Sequence, residues 1–241
     1  MTHSHIGSAI LRTVDDLRGP AGRLEALLNA GAPNAPYAAL VCHPHPLGGG
    51  TMHNKVVYHT MKAFQSFGLP VLRFNFRGTE LSEGVHDNGR GEQDDVRAAL
   101  DWLDRELQRP ILFAGFSFGS YVGLNACCGD PRVIGLVALG LPVHAEGRGY
   151  DYAFLRHCPQ PKLFISGDQD QFGPMPAVEA AVSLAPEPKQ LIWIANADHF
   201  FAPPRSADAT APHKGAGSKL EEVRNAIRSW AHSSFPSLHG Q

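Results

Sequence analysis

The chain has 241 residues, 43% of them hydrophobic and 18% charged, with a net charge of −2, which describes a soluble globular protein with one sizeable core. Its 25 Gly and 19 Pro exceed the roughly 29 of both together that average usage predicts, yet they follow no G-X-Y period and form no single low-complexity run, which excludes collagen and a disordered linker protein. The near-neutral charge, without a Lys/Arg-rich cluster, excludes a nucleic-acid binder, and no apolar stretch is long enough to span a membrane.

Residues Met1 to Ile10 are polar and His-bearing, without the apolar run and cleavage site of a signal peptide. Cys42, Cys127, Cys128 and Cys158 follow no C-x-x-C spacing and are too few for a disulfide scaffold, so a reducing cytoplasm is expected. Most of the 13 histidines are expected at the surface.

In chain order, Ile10 to Val14, a turn at Arg18-Gly19-Pro20-Ala21-Gly22 and Leu24 to Leu28 read as an antiparallel hairpin at a sheet edge. Tyr37 to His43, Val71 to Phe76, Ile111 to Gly115, Val133 to Gly140, Lys162 to Ser166 and Gln190 to Ala195 are short, continuous apolar runs. Strands buried on both faces read this way. Between them lie helical stripes: Val57, Met61 and Phe64 within Lys55 to Phe67, then Val96, Leu100, Leu103 and Leu107 within Glu92 to Leu107. A short helical stretch covers Tyr121 to Cys127, and a last stripe places Leu220, Val223, Ile227 and Trp230 within Lys219 to Ala231. Gly68 and Pro70 close the first of these helices.

Alternating strands and helices require parallel pairing through right-handed crossovers. The expected architecture is therefore α/β, a mostly parallel twisted sheet covered by helices on both faces, with the hairpin at its edge. One domain is expected over 1–241, with a loop insertion at about 141–159 that has room for a short helix but no cap domain. A Pro/Ala/Gly/Ser-rich, mobile loop is expected at about 202–218.

The sharpest chemical signal is Gly115-Phe116-Ser117-Phe118-Gly119, between the apolar run ILFA and a helical stretch. This is G-x-S-x-G in the strand, sharp turn and helix context that it requires. To raise Ser117 Oγ above the sheet, the turn must hold Ser117 at positive φ, and the residues two positions either side must be small. A serine hydroxyl is a weak nucleophile and needs a base, which in turn needs an orienting acid.

In the order Ser, Asp, His that goes with this turn, both partners follow later strands. Gly167-Asp168-Gln169-Asp170 follows KLFIS, and Asn196-Ala197-Asp198-His199-Phe200-Phe201 follows LIWIA. The carboxyl ends of parallel strands share one crevice, so Ser117, the Asp168/Asp170 pair and His199 converge. Among other histidines, His144 and His157 precede the acid and His213 falls in the mobile loop. Asp168 and Asp198 each have an ordinary role as turn-formers, and spacing does not choose between Asp168 and Asp170.

From Leu24 to Phe201 the chain resembles the α/β-hydrolase superfamily, specifically the small cap-less branch of dienelactone hydrolases and prolyl-oligopeptidase-type catalytic domains. The segments LVCHPHPLGGGTMHNKVV, LRFNFRGTELSEG, FAGFSFGS, SGDQDQFGP and ADHFF carry that resemblance. It implies Asp170 as the acid, because in that family the acid ends a G-x-x-D turn.

An oxyanion hole is also required, with one N–H expected from Phe118 and a second from the loop after YAALVCH. Pro44 and Pro46 lack an N–H, which leaves His45 as the donor between His43 and Leu47, and the resemblance places the second donor there as well. Relatives read F-R-G-x-G-x-S where this chain has Phe76-Arg77-Gly78-Thr79-Glu80-Leu81-Ser82, so Glu80 stands in place of a glycine near the crevice rim. Its carboxylate either meets a cationic or polar substrate edge or faces water. Arg77 is expected to be structural, hydrogen-bonded to loop carbonyls.

Phe172 and Phe200 are candidate pocket walls beside the acid and the base, and Phe116 is expected in the core. His43-Pro44-His45 as a metal H-x-H lacks a third ligand at matching spacing, and Gly48-Gly49-Gly50-Thr51 lacks the Lys-Ser/Thr of a phosphate loop.

The expected function is a cytoplasmic serine carboxylesterase acting on small acyl esters with no metal or cofactor. Thioesterase, lactonase or short-peptide hydrolysis by the same residues is the alternative. A non-catalytic or metal-binding protein on this scaffold is the reading from another class.

Overall fold

The computed structural model describes residues 10–145, 147–203 and 219–239. The chain opens with β1 (Leu11–Val14), a small ribbon of β2 (Arg18–Gly19) and β3 (Gly22–Arg23), then β4 (Ala26–Asn29) and β5 (Ala38–Cys42). There follow α1 (Lys55–Gln65), β6 (Val71–Phe74), α2 (Arg90–Leu107), β7 (Ile111–Phe116), α3 (Phe118–Cys127) and β8 (Val133–Leu139). The last third holds a ribbon of β9 (His144–Ala145) and β10 (Arg148–Gly149), β11 (Lys162–Gly167), α4 (Met175–Ser183), β12 (Lys189–Ile194) and α5 (Leu220–Ser234).

Eight strands form one sheet in the order β1-β4-β6-β5-β7-β8-β11-β12. The pairs β1/β4 and β4/β6 are antiparallel and all the others parallel. This is the α/β-hydrolase fold, with the N-terminal hairpin at the edge. Because side chains alternate along a strand, each central strand supplies both faces. Ala38, Leu40 and Cys42 of β5 join the core beneath α2, α3 and α4, while Ala39 and Val41 join the one beneath α1 and α5. In β7, Ile111 and Phe113 face the first core and Leu112, Ala114 and Phe116 the second. The helical stripes pack as their period demands, with Val96, Leu100 and Leu103 fully buried on one side and Val223 and Ile227 on the other.

The segment 141–159 carries the β9/β10 ribbon and a 3-10 turn, Ala153–His157, and among the described residues no cap covers the sheet. The loop expected at 202–218, with His213, lies outside the described residues beyond Pro203.

Three local features depart from expectation. Helix α4 follows the acid turn, where Pro176 fits because the first helical turn needs no intrahelical donors. Arg77 is structural, but its partner is a carboxylate. Its Nη2 donates to Asp95 Oδ1 at 2.7 Å and its Nε to Asp95 Oδ2 at 3.0 Å, beneath the loop that follows β6. Burial raises the Asp95 carboxyl pKa, against the lowering influence of Arg77.

The third departure concerns the cysteines: Cys128 and Cys158 are disulfide-bonded, with Cα atoms 4.8 Å apart. The end of α3 and the end of the 3-10 turn converge there, a tertiary approach that spacing along the chain does not signal. Gln160 ties the same corner, its Nε2 donating to the Cys127 carbonyl at 3.0 Å and its Oε1 accepting the Gly129 N–H at 3.1 Å.

Candidate active site

β7 ends at Phe116 and α3 begins at Phe118, so Ser117 alone makes the turn, at φ 55 and ψ −123. Holding a non-glycine residue there costs on the order of 1–3 kcal/mol, and its surroundings must over-determine it. The Ser117 N–H donates to the Leu139 carbonyl at 2.8 Å, while its own carbonyl accepts Ser120 Oγ at 2.6 Å and the Ser120 N–H at 2.8 Å. A Cβ on Gly115 would strike the Gly119 carbonyl, and one on Gly119 would strike the His43 carbonyl. Both glycines are therefore required by close backbone approach.

The loops after β11 and β12 meet over this turn. Asp170 is 4% exposed. Its Oδ1 accepts the N–H groups of Phe172 at 2.8 Å and Gly173 at 3.3 Å, and its Oδ2 stands 2.7 Å from His199 Nδ1. His199 Nε2 is 2.8 Å from Ser117 Oγ across 82 residues of sequence. A carboxylate only accepts, so the proton of neutral His199 sits on Nδ1, and Nε2 is left as the acceptor for the serine hydroxyl.

Asp168 does not reach the imidazole. Its Oδ1 accepts the Ala197 N–H at 3.3 Å, joining the acid turn to the histidine turn. Asp198 likewise caps its own turn through the N–H groups of Phe200 and Ala202, both at 2.9 Å. Aromatic rings wedge the imidazole in place: Phe116 at 5.1 Å beneath it, Phe172 edge-on at 4.8 Å and Phe200 edge-on at 5.3 Å.

On the opposite side, Phe118 is the first residue of α3, so its N–H has no acceptor within the helix. The His45 ring packs 4.6 Å from the Phe118 ring at a tilt of 58°, so the two expected oxyanion residues are neighbours. Three hollows border Phe172, Phe200 and His86, residues that pack against His199 or Phe118. One of about 440 Å³ is lined by Leu47, Thr79, Glu80, Val85 and His86. A second, of about 750 Å³, includes His53, Lys55, His59 and Phe200, and a third, of about 490 Å³, includes Arg148 and Phe172. Phe172 and Phe200 thus pack against the imidazole of this group, whereas Glu80, exposed and at φ 49, lines the first hollow.

Two groups near the site are engaged in ways the sequence did not signal. His86 Nδ1 lies 2.9 Å from Glu92 Oε1, close but off the line of a hydrogen bond, and Glu92 is buried, accepting the N–H groups of Asp87 and Gly89 at 2.7 Å each. His43 is fully buried, with both ring nitrogens engaged by backbone groups, so an H-x-H chelate with His45 has no free ligand atom on that ring.

The Alpha/beta hydrolase domain family model matches residues 38–231. The chain belongs to that family. A curated protein from Rickettsia prowazekii, itself uncharacterized, is 40% identical over 191 residues, which is 76% of this chain and 79% of the relative. Among solved structures, an alpha-beta serine hydrolase homologue from Coxiella burnetii is 34% identical with a TM-score of 0.76, covering 94% of this chain and 99% of its own. A member of the a/b serine hydrolases without lid from Xanthomonas campestris is 30% identical with a TM-score of 0.75, covering 95% of this chain and 96% of its own.

Proposed function

We propose that the protein is a serine hydrolase cleaving carboxylic esters of small acyl substrates through an acyl-enzyme. The observation that carries this reading is the unbroken run from Asp170 Oδ2 through His199 to Ser117 Oγ, at 2.7 and 2.8 Å. Ser117 Oγ attacks the ester carbonyl while His199 Nε2 takes its proton, and the proton then passes to the leaving alcohol. Asp170 holds the imidazole in the Nδ1–H tautomer and stabilises the imidazolium. The N–H groups of Phe118 and His45 receive the negative charge of the tetrahedral intermediate, at about 3–4 kcal/mol per donor. Water, activated by the same histidine, releases the acid. The chemistry calls for no metal or cofactor.

The likeness to serine hydrolases at 30% identity and above, one of them described as without lid, supports the reading. The acyl and alcohol parts lie in the hollows flanked by Phe172, Phe200 and Glu80. Thioesters, lactones and short peptide amides are within reach of the same groups. A panel of p-nitrophenyl esters, acyl-CoA thioesters, lactones and aminoacyl amides tests the choice: highest kcat/KM on short-chain esters is expected, and preference for any of the other classes would overturn it. A cytoplasmic setting belongs to this reading too, although the Cys128–Cys158 bond is of a kind commoner in oxidising compartments.

A further inference from the structure

His43 directly follows β5 and is fully buried. Its Nε2 is 2.9 Å from the backbone nitrogen of Phe76, and its Nδ1 is 2.7 Å from the carbonyl oxygen of Pro44. A backbone N–H only donates, so Nε2 is the acceptor, the ring proton is on Nδ1, and Nδ1–H donates to Pro44. Only one tautomer satisfies both bonds.

The Pro44 carbonyl and the His45 N–H belong to the same planar trans peptide, in which they point in opposite directions. Whatever holds that carbonyl therefore aims that N–H. The next peptide is held as well, since the His45 carbonyl accepts the N–H groups of Gly48 at 3.1 Å and Gly50 at 3.0 Å. We propose that His43 is a positioning residue for the oxyanion hole: its Nδ1–H grips the Pro44–His45 peptide and fixes the direction in which the His45 N–H donates. The same bond polarises the amide and strengthens its N–H as a donor. Burial pushes the His43 pKa down to about 3, against the raising effect of the Pro44 bond and with a small lowering from His45, so the ring stays neutral and the grip persists at any ordinary working pH. This role rests on the esterase reading given above.

Two substitutions separate the grip from the anchor. Asn places a donor where Nδ1 stands and loses the contact with Phe76. Gln places an acceptor where Nε2 stands and loses the grip on Pro44. With p-nitrophenyl acetate, His43→Gln is expected to lower kcat by about 30-fold, less than the roughly 10²–10³-fold loss when a hole donor is removed outright, because the His45 N–H stays in place but is no longer held in direction, with KM within about twofold. A trifluoromethyl ketone, which forms the tetrahedral adduct, should bind His43→Gln more weakly by the same factor, while His43→Asn recovers most of both.

Equal losses in the two variants, or a loss confined to thermal stability, would overturn the proposal while leaving the esterase reading intact. A wild-type chain inert to both the ester and the ketone would overturn that reading and this proposal with it. Imidazole ¹⁵N shifts of the wild-type protein need no variant: a protonated Nδ1 on His43 is expected down to about pH 4, and a protonated Nε2 would overturn the proposal.

Discussion

Asp170 Oδ2 meets His199 Nδ1 at 2.7 Å, whereas Asp168, two residues earlier in the same turn, spends its carboxylate on the Ala197 N–H at 3.3 Å. In the proposed mechanism this division separates orientation of the base from closure of the turn. Asp170→Asn should lower kcat by about 10⁴, the loss expected when the tautomer is no longer held, and Asp168→Asn by less than about tenfold. Steady-state kinetics on p-nitrophenyl acetate decide it, and equal losses or the reverse order would show the wrong acid.

The buried His43 makes stability sensitive to acid. Its folded pKa of about 3 lies below the unfolded value of about 6.5. Between those values the unfolded chain binds the extra proton, so stability rises with pH across the window and is lost as pH falls through it. From pH 7 to pH 5 the loss from this group is about 2 kcal/mol, with His59, whose pKa burial also lowers, adding in the same direction. Urea unfolding at the two pH values should show a drop smaller by about that amount in His43→Gln, and identical drops would contradict the account.

The glycines of the site differ in how much they can change. Gly119→Ala drives a Cβ into the His43 carbonyl and the Cys42 backbone, atoms that cannot rotate away, and should cost about 1–3 kcal/mol along with most of the activity. A Cβ at Gly48 meets nothing nearer than His45 Cβ at 3.9 Å, so Gly48→Ala should stay within about 0.5 kcal/mol of wild type. Thermal melts of the pair check this ranking.

The cysteines should count as two and two. Cys42 and Cys127 are buried thiols whose pKa values burial pushes well up, and Cys128 and Cys158 are paired. Ellman's reagent should find almost no thiol in the native protein and two after unfolding without reductant. Four would mean that the Cys128–Cys158 bond is absent and would contradict the pairing.

The parallel core was legible because β5, β7 and β8 are buried on both faces and so read as unbroken apolar runs, while α2 and α5 carry single stripes. Helix α4 was not, because Met175-Pro176-Ala177 carries no amphipathic pattern and a proline reads as a break until its place in the first turn is seen. Ser117 and His199 were legible from the G-x-S-x-G pattern and from strand order. The carboxylate that meets His199 was not legible from spacing, since Asp168 and Asp170 share one turn and only its three-dimensional path sets which reaches the imidazole; the family resemblance pointed to Asp170. His43 was legible only as half of a metal H-x-H, and the Cys128–Cys158 bond had no signal at all, because each depends on which backbone and side chain lie opposite it in the folded chain.

The central claim is that Ser117 is the nucleophile. A fluorophosphonate probe tests it most directly, by intact mass and peptide mapping. The account predicts one adduct, on Ser117, insensitive to chelator and abolished together with about 10⁶-fold of kcat in a folded Ser117→Ala variant. Labelling that persists in Ser117→Ala, or ester hydrolysis by that variant at the wild-type rate, would contradict it.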